Sequence, residues 1–335
     1  MSTQAADKPE ETMQLNRRAV LGGISASAIA APSILRAAEP LNIGNVPANL
    51  IHWVTLAATD LGFFSAEGFN AVIQTIQSSP QSVQFAITGQ YQIATGQPEV
   101  LVAAVEQGAT QLAALAAPTN SSDWVLVGNR NVKTLADLKG QIVGVSSLRT
   151  SEAWLTSALM QKNGFAKDSV KYQPAGTSPA KVASLEAGNI GAAVLFQPSA
   201  EVAIRAGLPV LARFEGMRAY PTVLYNVNRD WAAKGDAGMR VARAIQKAHT
   251  WLYDPANRKQ TVEIGAKYSK REIPVVEAVY DAFFAQGKIY SRTGEISVEG
   301  LQNAINDMAE DGAVFKTPTK AEKYILDKKL GGLFS

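Results

Sequence analysis

Residues 77–98 read QSSPQSVQFAITGQYQIATGQP, and residues 176–198 read GTSPAKVASLEAGNIGAAVLFQP. Both run from Ser-Pro through an amphipathic stretch to a glycine, a short apolar segment and a closing Gln-Pro. The step from Pro80 to Gly89 and from Pro179 to Gly188 is nine positions in both, and one residue is inserted after the second glycine. A unit said twice at so long a spacing points to two similar lobes, not to a solenoid of many short repeats. In each copy the serine before proline suits a capped helix with proline in its first turn. The glycine ends that helix, and the apolar segment after it suits a short strand.

Around these copies the pattern is β-loop-α. Upstream, 41–46 alternates like a strand, 50–61 has a helical apolar face, and 72–76 is a second strand. Between the copies come a helix over 100–107, strands over 112–116, 124–127 and 141–145, and a helix over 152–163. The order predicts an α/β protein with mostly parallel strands and right-handed crossovers. Strand 124–127 reads as the crossover into a second lobe, and 222–227 as the return. From 237 onward the pattern is nearly all helical. The expected layout is lobe one over 39–123 plus 226–335, with lobe two, 124–225, inserted into it.

The first 38 residues stand apart. Arg17-Arg18 precede an uncharged, weakly apolar run over 19–35, and Arg36-Ala37-Ala38 offers a small-residue cleavage site. That order is a signal peptide of the twin-arginine kind. The run is short for a membrane span and is broken by Gly22, Gly23 and Pro32. The chain has no cysteine, which excludes a lipid anchor on cysteine, disulfides, thiolate metal sites and a thiol nucleophile. Removing Lys8, Arg17, Arg18, Arg36, Asp7, Glu10 and Glu11 leaves 28 basic and 26 acidic residues. So even a balance carries no footprint for nucleic acid. The expectation is a soluble, monomeric, exported protein without a lipid anchor.

Enzyme motifs are scarce. His52 and His249 are the chain's two histidines and sit in no metal-binding spacing. No zinc-protease, nucleophile-elbow, phosphate-loop or dinucleotide signature occurs. No catalytic residue, metal ligand or cofactor is therefore assigned. His249, in a long amphipathic helix, reads as structural, whereas His52 suits packing and cleft lining equally.

What the chain offers instead is helix starts directly after strands. Ligands of open α/β sheets bind outside the carboxyl ends of strands, where free backbone N–H groups and the helix dipole favour an anion. The candidate ligand-binding residues there are Asn49, Ser78, Ser79, Gln97, Ser147, Thr150, Thr177, Ser178 and Gln197. Arg149, among serines at a strand-to-helix turn, could clamp a carboxylate or sulfonate. Trp53, on the polar side of its helix, and Tyr220 complete the set as cleft wall and rim, and Trp124 suits either a wall or the hinge.

Three segments carry a family resemblance: LNIG at 41–44, ATDLGFFSAEG at 58–68, and LADLKG at 135–140 before a strand. They resemble the periplasmic solute-binding proteins of ABC transporters, in the sulfonate/nitrate/taurine and thiamine-precursor group, over most of 41–310. The resemblance implies the type II periplasmic-binding-protein fold, two α/β lobes with mixed sheets joined by two hinge crossovers. It implies closure on a small solute and delivery to a permease in the inner membrane. It carries ligand contacts to Asn49, Ser79, Gln97, Ser147, Thr150, Thr177 and Gln197. The expected ligand is a small organic anion: a sulfonate, taurine, nitrate or an aromatic carboxylate. A neutral pyrimidine-like heterocycle held by Trp53 and Gln97 is the alternative. Thiamine-precursor synthases of the same fold depend on a cysteine-rich motif that this chain lacks.

Overall fold

The computed structural model describes residues 38–45, 49–285 and 289–335. The arginine pair, the apolar run and the expected cleavage site lie outside these residues, apart from Ala38.

Among the described residues, ten strands form two mixed sheets of five. In chain order they are β1 (Glu39–Asn45), β2 (Phe69–Thr75), β3 (Ile93–Gly96), β4 (Leu112–Ala116), β5 (Val125–Gly128), β6 (Ile142–Val145), β7 (Lys171–Pro174), β8 (Ala192–Leu195), β9 (Val210–Arg213) and β10 (Leu224–Asn228). One sheet runs β2-β1-β3-β10-β4 and the other β7-β6-β8-β5-β9. The repeated stretch supplies the central strand of each. β3 lies parallel to β1 and antiparallel to β10, just as β8 lies parallel to β6 and antiparallel to β5. The expected parallel core is present, and one strand in each sheet is reversed because the chain crosses over there.

The two copies match in local detail. Their helices span Ser79–Ile87 and Ser178–Glu186. Gly89 and Gly188 follow with φ of 75° and 72°, a left-handed turn that glycine adopts without the Cβ penalty. Ser79 Oγ accepts from Gln97 N at 3.4 Å, and Ser178 Oγ accepts from Phe196 N at 3.1 Å. Each hydroxyl ties the start of its helix to the loop that leaves the following strand.

The chain leaves the first sheet after Ala116 and returns to it at Leu224. Thr119 Oγ1 and Thr222 Oγ1 meet there at 2.6 Å, both buried. The first sheet buries one face under helices Trp53–Asp60 and Ala237–Tyr253 and the other under Pro98–Glu106 and Val298–Asp311. The second sheet has its own apolar layer on each face. Near the C-terminus, Leu326 N donates to Ala114 O at 2.8 Å and Leu333 N to Leu115 O at 2.7 Å, which covers the exposed edge of β4.

Trp53 differs from its expected place. It is fully buried, donates from Nε1 to Thr261 O at 2.9 Å, and meets Tyr280, Phe283 and Phe284 edge-on. The C-terminal helices cover the side of its helix that an isolated amphipathic pattern leaves to solvent, so Trp53 is core and not a cleft wall. Tyr220 is corrected likewise: it is fully buried, with Arg218 over its ring at 5.3 Å, and forms no rim. Trp124 packs edge-on against Phe196 and Phe214. His249 is buried in the first-lobe core, its Nδ1 at 2.7 Å from Ser291 O.

Candidate functional site

A cavity of about 1240 Å³ opens between the two sheets. From the first it is lined by Asn49, His52, Ser78, Ser79 and Gln97; from the second by Ser147, Arg149, Thr150, Thr177, Ser178 and Gln197. Helix starts that lie far apart in sequence thus converge on one space, because each follows the carboxyl end of a strand and both sheets turn those ends to the same cleft.

Several of these side chains are already engaged with their own backbone. Asn49 Oδ1 accepts from Ile51 N at 3.0 Å, and Ser78 Oγ from Gln81 N at 3.4 Å. Thr150 Oγ1 donates to Ser147 O at 2.9 Å. Gln197 Oε1 accepts from Glu201 N at 3.2 Å, while its backbone N–H donates to Asp123 Oδ2 at 3.3 Å. Their role here is to hold the loops in shape. Gln97 keeps a buried Nε2 without a hydrogen-bond partner among the described residues. His52 is buried to 1% exposure, and neither ring nitrogen has a hydrogen-bond partner among the described residues. Burial lowers it to about 3, so it lines the cavity as a neutral imidazole. Arg149 is exposed on the loop before helix Ser151–Lys162 and makes no ion pair among the described residues.

The charged groups that shape the site were not anticipated from the sequence. Lys181 and Glu152 form a 2.7 Å ion pair with both side chains fully buried. Lys181 Nζ also donates to Ser146 Oγ at 3.1 Å and Val194 O at 2.8 Å, which uses its three protons. Glu152 Oε2 also accepts from Ser146 N at 2.9 Å. Glu99 reaches across the cleft: its Oε1 accepts from both the N–H and the hydroxyl of Ser151, each at 2.9 Å. A carboxylate from the first lobe thereby caps a helix of the second. Burial pushes Glu99 up to about 7, opposed by the Ser151 bonds and its own amide, with Glu152 adding repulsion. Burial pushes Asp123 up to about 7 as well. One trace of Glu99 was legible: the closing Gln-Pro of the first copy is followed by a glutamate, and that of the second by Ser199. An acidic residue in a first turn is otherwise ordinary, and a buried lysine leaves no pattern to read.

Among the described residues no cluster of histidine and carboxylate side chains could hold a metal ion. No described helix is long and apolar enough to cross a membrane.

Comparison with solved structures finds the same fold many times. A ligand-binding component of an ABC-type import system from Staphylococcus aureus superposes with a TM-score of 0.74 at 13% identity, covering 89% of this chain and 99% of that one. The periplasmic aliphatic sulphonate-binding protein SsuA from Escherichia coli gives 0.69 at 19% identity, covering 86% and 92%. The desulfurization enzyme DSZB gives 0.61 at 14%, covering 87% and 97%. At these identities the likeness shows the fold. No curated protein matches the chain in sequence. The profile of one family, described as NMT1/THI5 like, matches residues 49–257, more than half of the chain, and the chain belongs to that family.

Proposed function

We propose that this protein is the solute-binding component of an ABC importer: it takes a small organic solute into the cleft and hands it to an inner-membrane permease. The observation that carries this reading is the cavity of about 1240 Å³ walled by both copies of the repeated stretch. A solute touching both walls favours the closed arrangement by its contacts to each. We take 39–123 with 226–335 as one lobe and 124–225 as the other. The chain acts as an exported monomer, sent through the twin-arginine route by residues 1–38. The sulfonate-binding neighbour and Arg149 at the cleft, which makes no ion pair among the described residues, support an anionic group on the solute: sulfonate, nitrate, taurine or aromatic carboxylate.

A thermal-shift screen of sulfonates, nitrate, taurine, aromatic carboxylates and pyrimidines tests this, because a solute that binds the native state alone raises its melting temperature. Anions that raise it in wild type and fail in Arg149→Ala support the reading. A pyrimidine hit indifferent to Arg149 supports the neutral alternative, and no hit in any class removes the solute assignment. The DSZB likeness favours one other reading, an exported enzyme on this fold. Mass spectrometry of the bound compound after incubation separates the two, since a binding protein returns it unaltered.

A further inference from the structure

Glu99 is 3% exposed, lines the cavity, and bridges the lobes through one oxygen only. Its Oε1 is saturated by the two Ser151 donors. Its Oε2 is buried and has no hydrogen-bond partner among the described residues. A buried carboxylate oxygen left unpaired is costly, and that cost is removed when a donor reaches it. The buried Lys181 cannot supply one, because it spends its three protons on Glu152, Ser146 and Val194. Arg149 stands exposed on the loop before the helix that Glu99 caps.

We propose that Glu99 contacts the solute and sets its specificity, with Oε1 holding the second lobe and Oε2 receiving an N–H-bearing group of the bound molecule. This rests on the solute-binding reading and adds a chemical class to it: the solute presents a hydrogen-bond donor, charged or neutral, toward the first lobe. The selection follows from the asymmetry of the site. A donor completes Glu99, whereas an acceptor or an anion at the same place faces an unpaired carboxylate oxygen with Glu152 close behind. Burial raises Glu99 to about 7, so this selection belongs to the ionised carboxylate above that pH, whereas a protonated Oε2 would itself donate to an acceptor. A solute that donates to Oε2 also touches a side chain bonded to the other lobe, which couples occupancy to closure through a single residue.

Four para-substituted benzoates test this as probes. Each keeps one carboxylate for Arg149 and varies the opposite end: 4-amidinobenzoate, 4-carbamoylbenzoate, 4-methoxycarbonylbenzoate and terephthalate. Binding to the full mature chain is read by ligand-observed NMR at pH 8. The expected order places the amidine and the amide at least tenfold above the ester and the dicarboxylate. Glu99→Gln is expected to shrink the amidine-over-dicarboxylate ratio by tenfold or more. Ser151→Ala removes one of the donors to Oε1 and leaves Oε2 in place. It is expected to weaken all bound probes by a similar factor while keeping their order. Terephthalate or the ester binding as tightly as the amidine overturns the role of Glu99 while leaving solute binding intact. Binding of none of the four also overturns it, and the thermal-shift panel then decides solute binding on its own. Should Glu99→Gln fail to fold, the wild-type order alone still decides the matter.

Discussion

Lys181 and Glu152 lie 2.7 Å apart with no solvent on either side chain, at the wall where the second copy of the repeat meets the helix Ser151–Lys162. Such a pair is weak evidence for stability in itself, since desolvation offsets attraction. Losing one partner is another matter. Lys181→Met leaves Glu152 buried and uncompensated and should cost about 3–5 kcal/mol. The double variant Lys181→Met with Glu152→Gln should recover much of that loss. Urea unfolding of both variants checks it. Equal destabilisation of the two would mean that the uncompensated charge is not the source.

Stability should carry a pH signature that a single profile hides. Burial raises Asp123 from 3.8 to about 7 and Glu99 from 4.5 to about 7. Both therefore hold protons in the native state that the unfolded chain has released. Their contribution falls as pH rises from about 4 to 7 and stays lost above that. His52 and His249 act the other way: lowered from 6.5 to about 3 and about 4, they lose stability as pH falls below 6.5. The opposed slopes overlap, so wild type should look nearly flat between pH 5 and 6.5. Asp123→Asn exposes one component. Relative to wild type it should gain a few kcal/mol between pH 4 and pH 8, at roughly 1.4 kcal/mol per pK unit. Denaturant unfolding at several pH values reads the difference, and a difference constant with pH would sink the argument.

The indole of Trp53 should matter for folding and not for binding. Trp53→Phe removes the bond to Thr261 O and part of a fully buried ring, which together should cost roughly 2–4 kcal/mol. The affinity of any solute found in the thermal-shift panel should be unchanged within twofold. A selective loss of affinity at retained stability would return Trp53 to the cleft.

The same ring constrains its neighbour. A Cβ at Gly265 would stand 2.5 Å from Trp53 Cζ2 and 2.8 Å from Val276 Cγ1, inside a close-packed core where neither can withdraw freely. Gly265→Ala should therefore destabilise by about 1–3 kcal/mol through overpacking, despite alanine's better helix propensity. Combining it with Trp53→Phe should recover part of the loss. A thermal melt no lower than wild type for the single variant would show that the packing is looser than described.

The repeat itself yields a paired measurement. Ser79→Ala and Ser178→Ala delete equivalent hydroxyls, at 3.4 Å and 3.1 Å from their donors. Each should cost about 1 kcal/mol, with Ser178 the larger because its bond is shorter. The reverse order, measured by chemical denaturation, would break the equivalence.

How far the sequence could be read follows from the range of the interactions. Ser-Pro starts and glycine stops act within a single turn, so both copies and their strands were legible from residues 77–98 and 176–198. The expected crossover strand at 124–127 instead lies wholly within the second sheet, as Val125–Gly128 between the strands 192–195 and 210–213, so the apolar run marked a strand and not where the chain passes between the sheets. Convergence of Ser79, Gln97, Thr150 and Thr177 on one cavity followed from the rule for strand ends. Trp53 was misplaced because its cover comes from helices some two hundred residues away, beyond what a periodicity can register. Glu99 and Lys181 were missed for a related reason. Their partners, Ser151 and Glu152, lie 52 and 29 residues off, and a buried charge is recognised only once its partner is known.

The contact between Thr119 and Thr222, 103 residues apart and 2.6 Å across, has a consequence for how the molecule can be rebuilt. The segment carrying the second sheet enters and leaves at one buried point, so its two ends are already joined in space. Such a segment is a cassette. Exchange for the corresponding segment of a relative would not stretch the sheet that receives it, but must keep the contacts that Glu99, Asn303 and Asp307 make with it. A chimera of that kind would keep one wall of the cleft and import the other, letting half of a binding site be chosen independently of its partner.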